Sequence, residues 1–158
     1  MKSIKELNIY LGKIEKNIQN DLIKAQRETA KTVCEDAQNL APKDTGRYAE
    51  SIHITDTKVQ GNNISTSIVT DATVIAKVNG NEYNLGKLLE EGTEAHLIRP
   101  IDARVLHFQI DGEDIFTTLV HHPGFEPIPH FQPALWLNEE TYWENIEKAL
   151  DKEFKWIS

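Results

Sequence analysis

The amino-acid sequence predicts an α+β fold: a long N-terminal helix, a mostly antiparallel β-sheet, and a C-terminal helix packed on that sheet. Apolar residues recur at helical spacing over residues 1–41, β-branched runs separated by turn residues fill 50–122, and a second helical stripe occupies 133–155. Neither an internal repeat nor a linker separates these parts. We therefore expect a single domain over residues 1–158.

The first predicted helix carries one apolar stripe at three- and four-residue steps, and no proline interrupts it before Pro42. Gly12 is the position at which it could divide into two helices. An uninterrupted helix would be about 55 Å long at roughly 1.5 Å per residue, more than the width of a small domain. Part of the stripe is then expected to pack outside the chain's own core. The stripe consists of Ile4, Leu7, Leu11, Ile14, Ile18, Leu22, Ala25, Val33, Ala37 and Leu40.

A breaker cluster, APKDTG at residues 41–46, ends this helix, and Asp44 is expected to cap the turn that follows. A short helix over residues 84–91 is predicted to stop at Gly92. Asp111 and Gly112 form a hairpin signal. The predicted strands cover residues 51–58, 63–70, 73–79, 96–98, 105–110 and 115–121, with further turn signals at 61–63 and 79–81.

Proline and glycine crowd residues 123–133, so this segment is predicted to be an extended loop that cannot join a central strand. Pro133 suits the first position of the last helix, which is expected to run from Ala134 to about Phe154. The apolar stripe of that helix consists of Leu135, Tyr142, Trp143, Ile146, Leu150 and Phe154.

The composition is that of a globular chain, with 39% hydrophobic and 27% charged residues. The apolar runs are far shorter than the roughly 20 residues that span a bilayer, so no membrane association is expected. A single cysteine, Cys34, falls on the first predicted helix and is expected to be inert in a protein made in the reducing cytoplasm. Residues 42–158 carry ten basic against nineteen acidic side chains, which argues against tight binding of nucleic acid.

Six histidines raise the hypothesis of a metal-assisted hydrolase built on His96, His121, His122 and His130. The spacing is unfavourable, because adjacent residues of a strand point to opposite faces and no HExxH pattern is present. The sequence also has no GxSxG elbow and no phosphate-binding loop. We expect a protein that is not an enzyme and has no cofactor. A small cytoplasmic interaction module, whose acidic surface binds a basic partner, is a further alternative.

Four segments, taken in order, resemble a family of tailed-phage head-tail joining and tail-component proteins. They are APKDTGRYAESI at residues 41–52, LLEEGTEAHLIRP at 88–100, VLHF at 105–108 and VHHPGFEPIPHFQPAL at 120–135. The sequence departs from the family pattern at Glu91, where an aromatic or apolar residue is usual, and over residues 129–134, which read PHFQPA where PF-RPA is usual. The matching positions are Ala41, Pro42, Asp44, Thr45, Gly46, Ser51, Ile52, Glu90, Gly92, Thr93, His96, Pro100, His122, Pro123, Gly124, Pro129, Pro133 and Ala134.

The resemblance implies a structural virion protein of a tailed phage or prophage. Such a protein joins head to tail, or completes the tail end as a minor tail protein, as one subunit of a homo-oligomeric ring with six-fold symmetry. Its implied partners are other neck and tail proteins, and DNA would pass through the ring. Its implied location is the virion, after assembly in the cytoplasm of the bacterial host.

Overall fold

The computed structural model describes residues 4–44, 46–61, 63–76, 81–101 and 103–154. The chain divides into two compact units: residues 1–69 with 130–158 form unit 1, and residues 70–129 form unit 2. In chain order the elements are α1 (Ile4–Leu40), α2 (Arg47–Glu50), β1 (Ile52–Ile54), β2 (Lys58–Gln60), β3 (Asn63–Ser65), β4 (Ile68–Thr70), β5 (Thr73–Ala76), β6 (Asn81–Asn84), α3 (Leu85–Glu91), β7 (His96–Ile98), β8 (Leu106–Ile110), β9 (Glu113–Thr117), β10 (Val120–His122), α4 (Phe131–Leu137) and α5 (Glu139–Phe154). This set of helices and short strands confirms the predicted α+β class. A single domain over residues 1–158 remains a prediction.

Helix α1 is the backbone of unit 1 and runs without a break through Gly12. The buried part of its stripe lies in its second half, where the side chains are small and permit close approach of other elements. There it packs against β1 and α4, with Tyr48 of α2 and Phe131 of α4 at the edge of the core. The buried core of unit 1 consists of Val33, Cys34, Ala37, Ala41, Ile52 and Ala134.

The main neighbour of α5 is α1, along which it runs antiparallel. The Asn145 amide donates to the Thr29 hydroxyl at 3.2 Å, and two turns further on Lys152 Nζ donates to Asp21 at 2.7 Å. Ala149 is the buried residue of α5 and faces the small-residue part of α1. The sequence predicts that the last helix packs on the sheet, but α5 packs mainly on α1. The small side chains of α1 allow this close approach.

Asn138 divides the predicted C-terminal helix into α4 and α5. Its buried side-chain amide donates to Asp36 Oδ2 at 2.6 Å and to the Ala134 carbonyl at 3.0 Å. This anchor to α1 holds Asn138 outside helical geometry, with φ −108° and ψ 4°. The sequence predicts Pro133 as the first residue of the last helix. Helix α4 begins at Phe131, so Pro133 is its third residue. Proline is tolerated there because the first amide groups of a helix have no intrahelical acceptor.

Unit 2 is built from two-stranded antiparallel pairs. Strands β5 and β6 pair with Thr73 opposite Asn84, and the predicted turn at 79–81 falls largely outside the described residues. Strands β8 and β9 form the predicted hairpin, in which Asp111 and Gly112 both have positive φ, 51° and 84°. The predicted strand 115–121 is two strands, because the Thr117 hydroxyl hydrogen-bonds the N–H and the carbonyl of Leu119 and turns the chain.

Candidate functional site

Two glycine turns meet in unit 2, and they carry two of the motifs singled out in the sequence. Thr93 and Phe125 form an antiparallel bridge in which each N–H donates to the other carbonyl at 3.0 Å. Gly92 and Gly124 flank the bridge with φ of +72° and +78°. A Cβ atom on Gly124 would lie 2.2 Å from the Thr93 carbonyl oxygen, and one on Gly92 would lie 2.7 Å from that of Phe125. Only glycine fits at both positions.

His96 and His122 lie directly opposite each other in the β7–β10 pair, beside this crossing. Their rings stack at 4.9 Å with an interplanar angle of 24°. His122 Nδ1 accepts the Gly124 N–H at 3.0 Å, while His96 Nδ1 donates to the Glu94 carbonyl at 2.9 Å. The His122 hydrogen bond thus links the Gly124 turn to β10, and the His96 hydrogen bond links the Gly92 turn to β7. We name these turns and the two histidines the glycine crossing.

A cavity of about 550 Å³ lies at the glycine crossing, lined by residues 91–95 and 123–127. Within the described part of the chain, the buried Thr93 hydroxyl oxygen has no hydrogen-bond partner. Pro123 and Pro129 lie exposed on the loop, and Glu90 belongs to the last turn of α3, which Gly92 ends. The lining also includes the three acidic residues Glu91, Glu94 and Glu126.

The first motif surrounds the C-terminal end of α1 in unit 1. Gly46, with φ of +79°, is the N-cap of α2, and no side chain caps that helix, so the expected cap by Asp44 is wrong. Asp44 is exposed, and Thr45 falls outside the described residues. Ser51 Oγ donates to the Tyr48 carbonyl at 2.6 Å and closes the turn that follows α2. Pro42 is half-buried at the end of α1.

His130 is fully buried and belongs to the core of unit 1. Its Nε2 and the Tyr48 hydroxyl share a hydrogen bond of 2.5 Å, and its ring packs against Phe131 at 4.5 Å between centroids. His130 is also the N-cap residue of α4, whose Ala134 N–H donates to its carbonyl. No local sequence pattern predicts this role, because the burial of His130 depends on a tyrosine 82 residues away.

The four histidines of the metal hypothesis occupy different surroundings. His121 is exposed, on the other face of β10 from His122, as the alternation of a strand requires. Among the described residues no group of three or more His, Cys, Asp or Glu side chains converges to hold a metal ion. His107 instead bonds Asp114 at 2.8 Å, and hydrogen bonds from His107 and Gln109 lower the pKa of that exposed carboxyl group.

Cys34 is buried against β1, with its Sγ 3.7 Å from the Ile52 carbonyl oxygen. Burial raises the pKa of its thiol, and the negative charge of Glu35 raises it further. Because the thiolate is the reactive form, we expect a thiol reagent at pH 8 to modify the folded protein more than about tenfold slower than the urea-unfolded chain. Equal rates in the two states would contradict this placement of Cys34.

An apolar groove of about 420 Å³ lies in unit 1 between α1, α4 and α5. Its outer wall leaves large side chains in solvent, with Leu135 51%, Trp136 66% and Trp143 56% exposed. The apolar stripe of the last helix predicts Leu135 and Trp143 on its packed face, but both are exposed. We name this feature the α1–α4–α5 groove, and its apolar walls include Ala30, Val33, Ile68, Leu135, Trp136 and Trp143.

The first turns of α1 carry a second exposed apolar surface. Ile4, Leu7 and Leu11 are 80%, 50% and 53% exposed and lie on one face of the helix at i, i+3 and i+7. We name these three residues the N-terminal stripe. This exposure agrees with the prediction that part of the long helix lies outside the chain's own core. None of the described helices combines the length and apolar character that a bilayer-spanning segment requires.

A family model matches more than half of the chain. Residues 5–92, more than half of the chain, match the HK97-gp10-like family, which is described as "Bacteriophage HK97-gp10, putative tail-component". The matched region contains α1 from its second residue onward, the first motif, and the second motif as far as Gly92. The remainder of the glycine crossing lies after it. Neither a curated protein nor a solved structure matches the chain.

Proposed function

The chain belongs to the HK97-gp10-like family of bacteriophage tail components, and from this premise we propose that it is a ring subunit at the head-tail junction or the tail end. In this role it is a structural protein of the virion. Its partners are copies of itself, with the six-fold symmetry that the motif resemblance implies, and the neighbouring neck or tail proteins. Its work is to hold these proteins together.

One observation carries the proposal: large apolar side chains of the described chain lie in solvent on two separate surfaces of unit 1. Exposed apolar patches of this kind mark protein interfaces, because a folded monomer gains nothing from leaving them in water. The α1–α4–α5 groove and the N-terminal stripe differ in shape, one being concave and the other a helical ridge. Two unlike surfaces on each subunit are what a head-to-tail ring requires.

The motif residues support the same role, because the contacts described for them are structural. Gly92 and Gly124 allow two backbones to cross, and Ser51 closes a turn. The acidic charge of residues 42–158 suits a ring through which DNA passes without binding, since a negative surface repels phosphate.

The proposal is tested by deleting the gene from the phage or prophage that encodes the chain and imaging the particles by electron microscopy. A head-tail joining role predicts DNA-filled heads and separate tails, and a tail-completion role predicts unattached tails of altered end structure or length. Restoring the gene on a plasmid should return joined particles. Complete, infectious virions without the protein would refute both roles.

A further inference from the structure

The N-terminal stripe of one subunit and the α1–α4–α5 groove of another offer complementary surfaces. Amphipathic helices bind apolar grooves through residues at i, i+3 or i+4, and i+7, which is the spacing of Ile4, Leu7 and Leu11. The groove supplies the aromatic wall of Trp136 and Trp143, and tryptophan is among the residues that most often dominate interface energetics. We infer that these two surfaces form the subunit contact of the proposed ring, and this inference rests on that proposal.

A subunit cannot fill its own groove with its own stripe. The stripe lies on α1, which also forms one wall of the groove, and Leu7 is separated from the groove residue Ala30 by 23 residues of unbroken helix. At roughly 1.5 Å per residue this separation is about 35 Å. Since the helix is continuous through Gly12, it does not fold back on itself, so a stripe that fills the groove must come from a second copy of the chain.

Charge supports the same pairing. Residues 1–16 contain four lysines and two glutamates, so the helix end that bears the stripe is basic. Residues 139–147, the start of α5, include three groove residues and contain four glutamates and no lysine or arginine. Two basic surfaces would repel each other, as would two acidic ones, whereas the basic helix end placed against the acidic start of α5 is the favourable arrangement.

The stripe is also continuous with a helix–helix contact that the chain already makes. Further along α1, the same helix packs along α5, where Asn17 donates to Glu153 and Lys152 donates to Asp21. Towards its N-terminus from Asn17, α1 continues with Ile4, Leu7 and Leu11 of the stripe exposed. The inferred contact therefore continues the α1–α5 packing of one subunit onto the next subunit. A head-to-tail contact of this kind closes into a ring when the rotation between subunits permits.

The test is a concentration series of the full-length protein by sedimentation velocity, with variants that alter one surface at a time. Leu7→Gln removes an apolar side chain from the stripe, and Trp136→Gln removes one from the groove. Both residues are at least half exposed, so folding should be retained, which circular dichroism checks. We expect each variant to self-associate at least about tenfold more weakly than the unaltered chain. The matched controls, Ile9→Gln and Leu137→Gln, change equally exposed apolar residues outside the two surfaces and should associate normally.

Mixing distinguishes a head-to-tail contact from a symmetric one. Leu7→Gln retains an intact groove and Trp136→Gln an intact stripe, so an equal mixture should form a heterodimer and nothing larger. An unaltered chain that stays monomeric at millimolar concentration, normal association of either variant, or no heterodimer in the mixture would each overturn the inference. None of these results bears on the proposed function, because a ring can form through other surfaces. Conversely, intact virions without the gene would refute the function and leave this self-association measurable.

Discussion

Replacing Gly124 by alanine is expected to lower the free energy of unfolding of unit 2 by about 2 to 5 kcal/mol. A non-glycine residue in the left-handed region costs roughly 1–2 kcal/mol. The added Cβ would also lie 2.2 Å from the Thr93 carbonyl oxygen and 2.8 Å from the Glu94 carbonyl carbon, and both are main-chain atoms. Main chain cannot move aside as a flexible side chain does, so overpacking adds roughly 1–3 kcal/mol.

The measurement is amide hydrogen exchange at Thr93 and Phe125, whose N–H groups form the bridge at the glycine crossing. Exchange at both amides should accelerate strongly, because opening of the bridge becomes easier. Gly112→Ala is the matched control: its φ is +84°, but nothing lies within 4 Å of the added Cβ. It should cost only about 1 kcal/mol. A Gly124→Ala protein no less stable than Gly112→Ala would mean that the two turns do not approach this closely.

Local patterns of the sequence predicted what depends on near neighbours. The long α1 followed from helical spacing, β7 from a short apolar run, and the β8–β9 hairpin from Asp111 and Gly112, which tolerate positive φ. The motif residues Gly92, Thr93, His96, His122 and Gly124 of the resemblance likewise lie at the glycine crossing. In each case the physical cause lies within a few residues of the feature that it produces.

Features that depend on distant partners left no such mark. Strands β7 and β10 have three residues each, too few to specify a register, so the residue pattern of neither strand predicts that they pair with each other. Asn138 interrupts the last helix because its side chain donates a hydrogen bond to Asp36 on α1. His130 is buried where its ring shares a hydrogen bond with the Tyr48 hydroxyl. The exposure of Leu135 and Trp143 was missed because an apolar stripe predicts burial without saying whether the covering surface belongs to the same chain.

Replacing His130 by alanine is expected to lower the free energy of unfolding of unit 1 by about 3 kcal/mol. The change removes a fully buried ring that packs against Phe131, and truncation of large buried rings typically costs roughly 3–5 kcal/mol. It also removes the acceptor or donor that His130 Nε2 presents to the Tyr48 hydroxyl. Urea unfolding followed by tryptophan fluorescence measures the effect, since Trp136 and Trp143 both lie in unit 1.

Two further variants separate a packing role from metal binding. Tyr48→Phe keeps the aromatic ring but deletes the hydroxyl that hydrogen-bonds to His130 Nε2. Loss of this bond to the buried ring should lower the free energy of unfolding by about 1–3 kcal/mol. His121→Ala, at an exposed position, should change stability by no more than about 0.5 kcal/mol. Because the His130 ring is held by Tyr48 and Phe131, a chelator should leave all of these stabilities unchanged. Equal losses for His121→Ala and His130→Ala, both abolished by chelator, would instead place the two histidines at one metal ion.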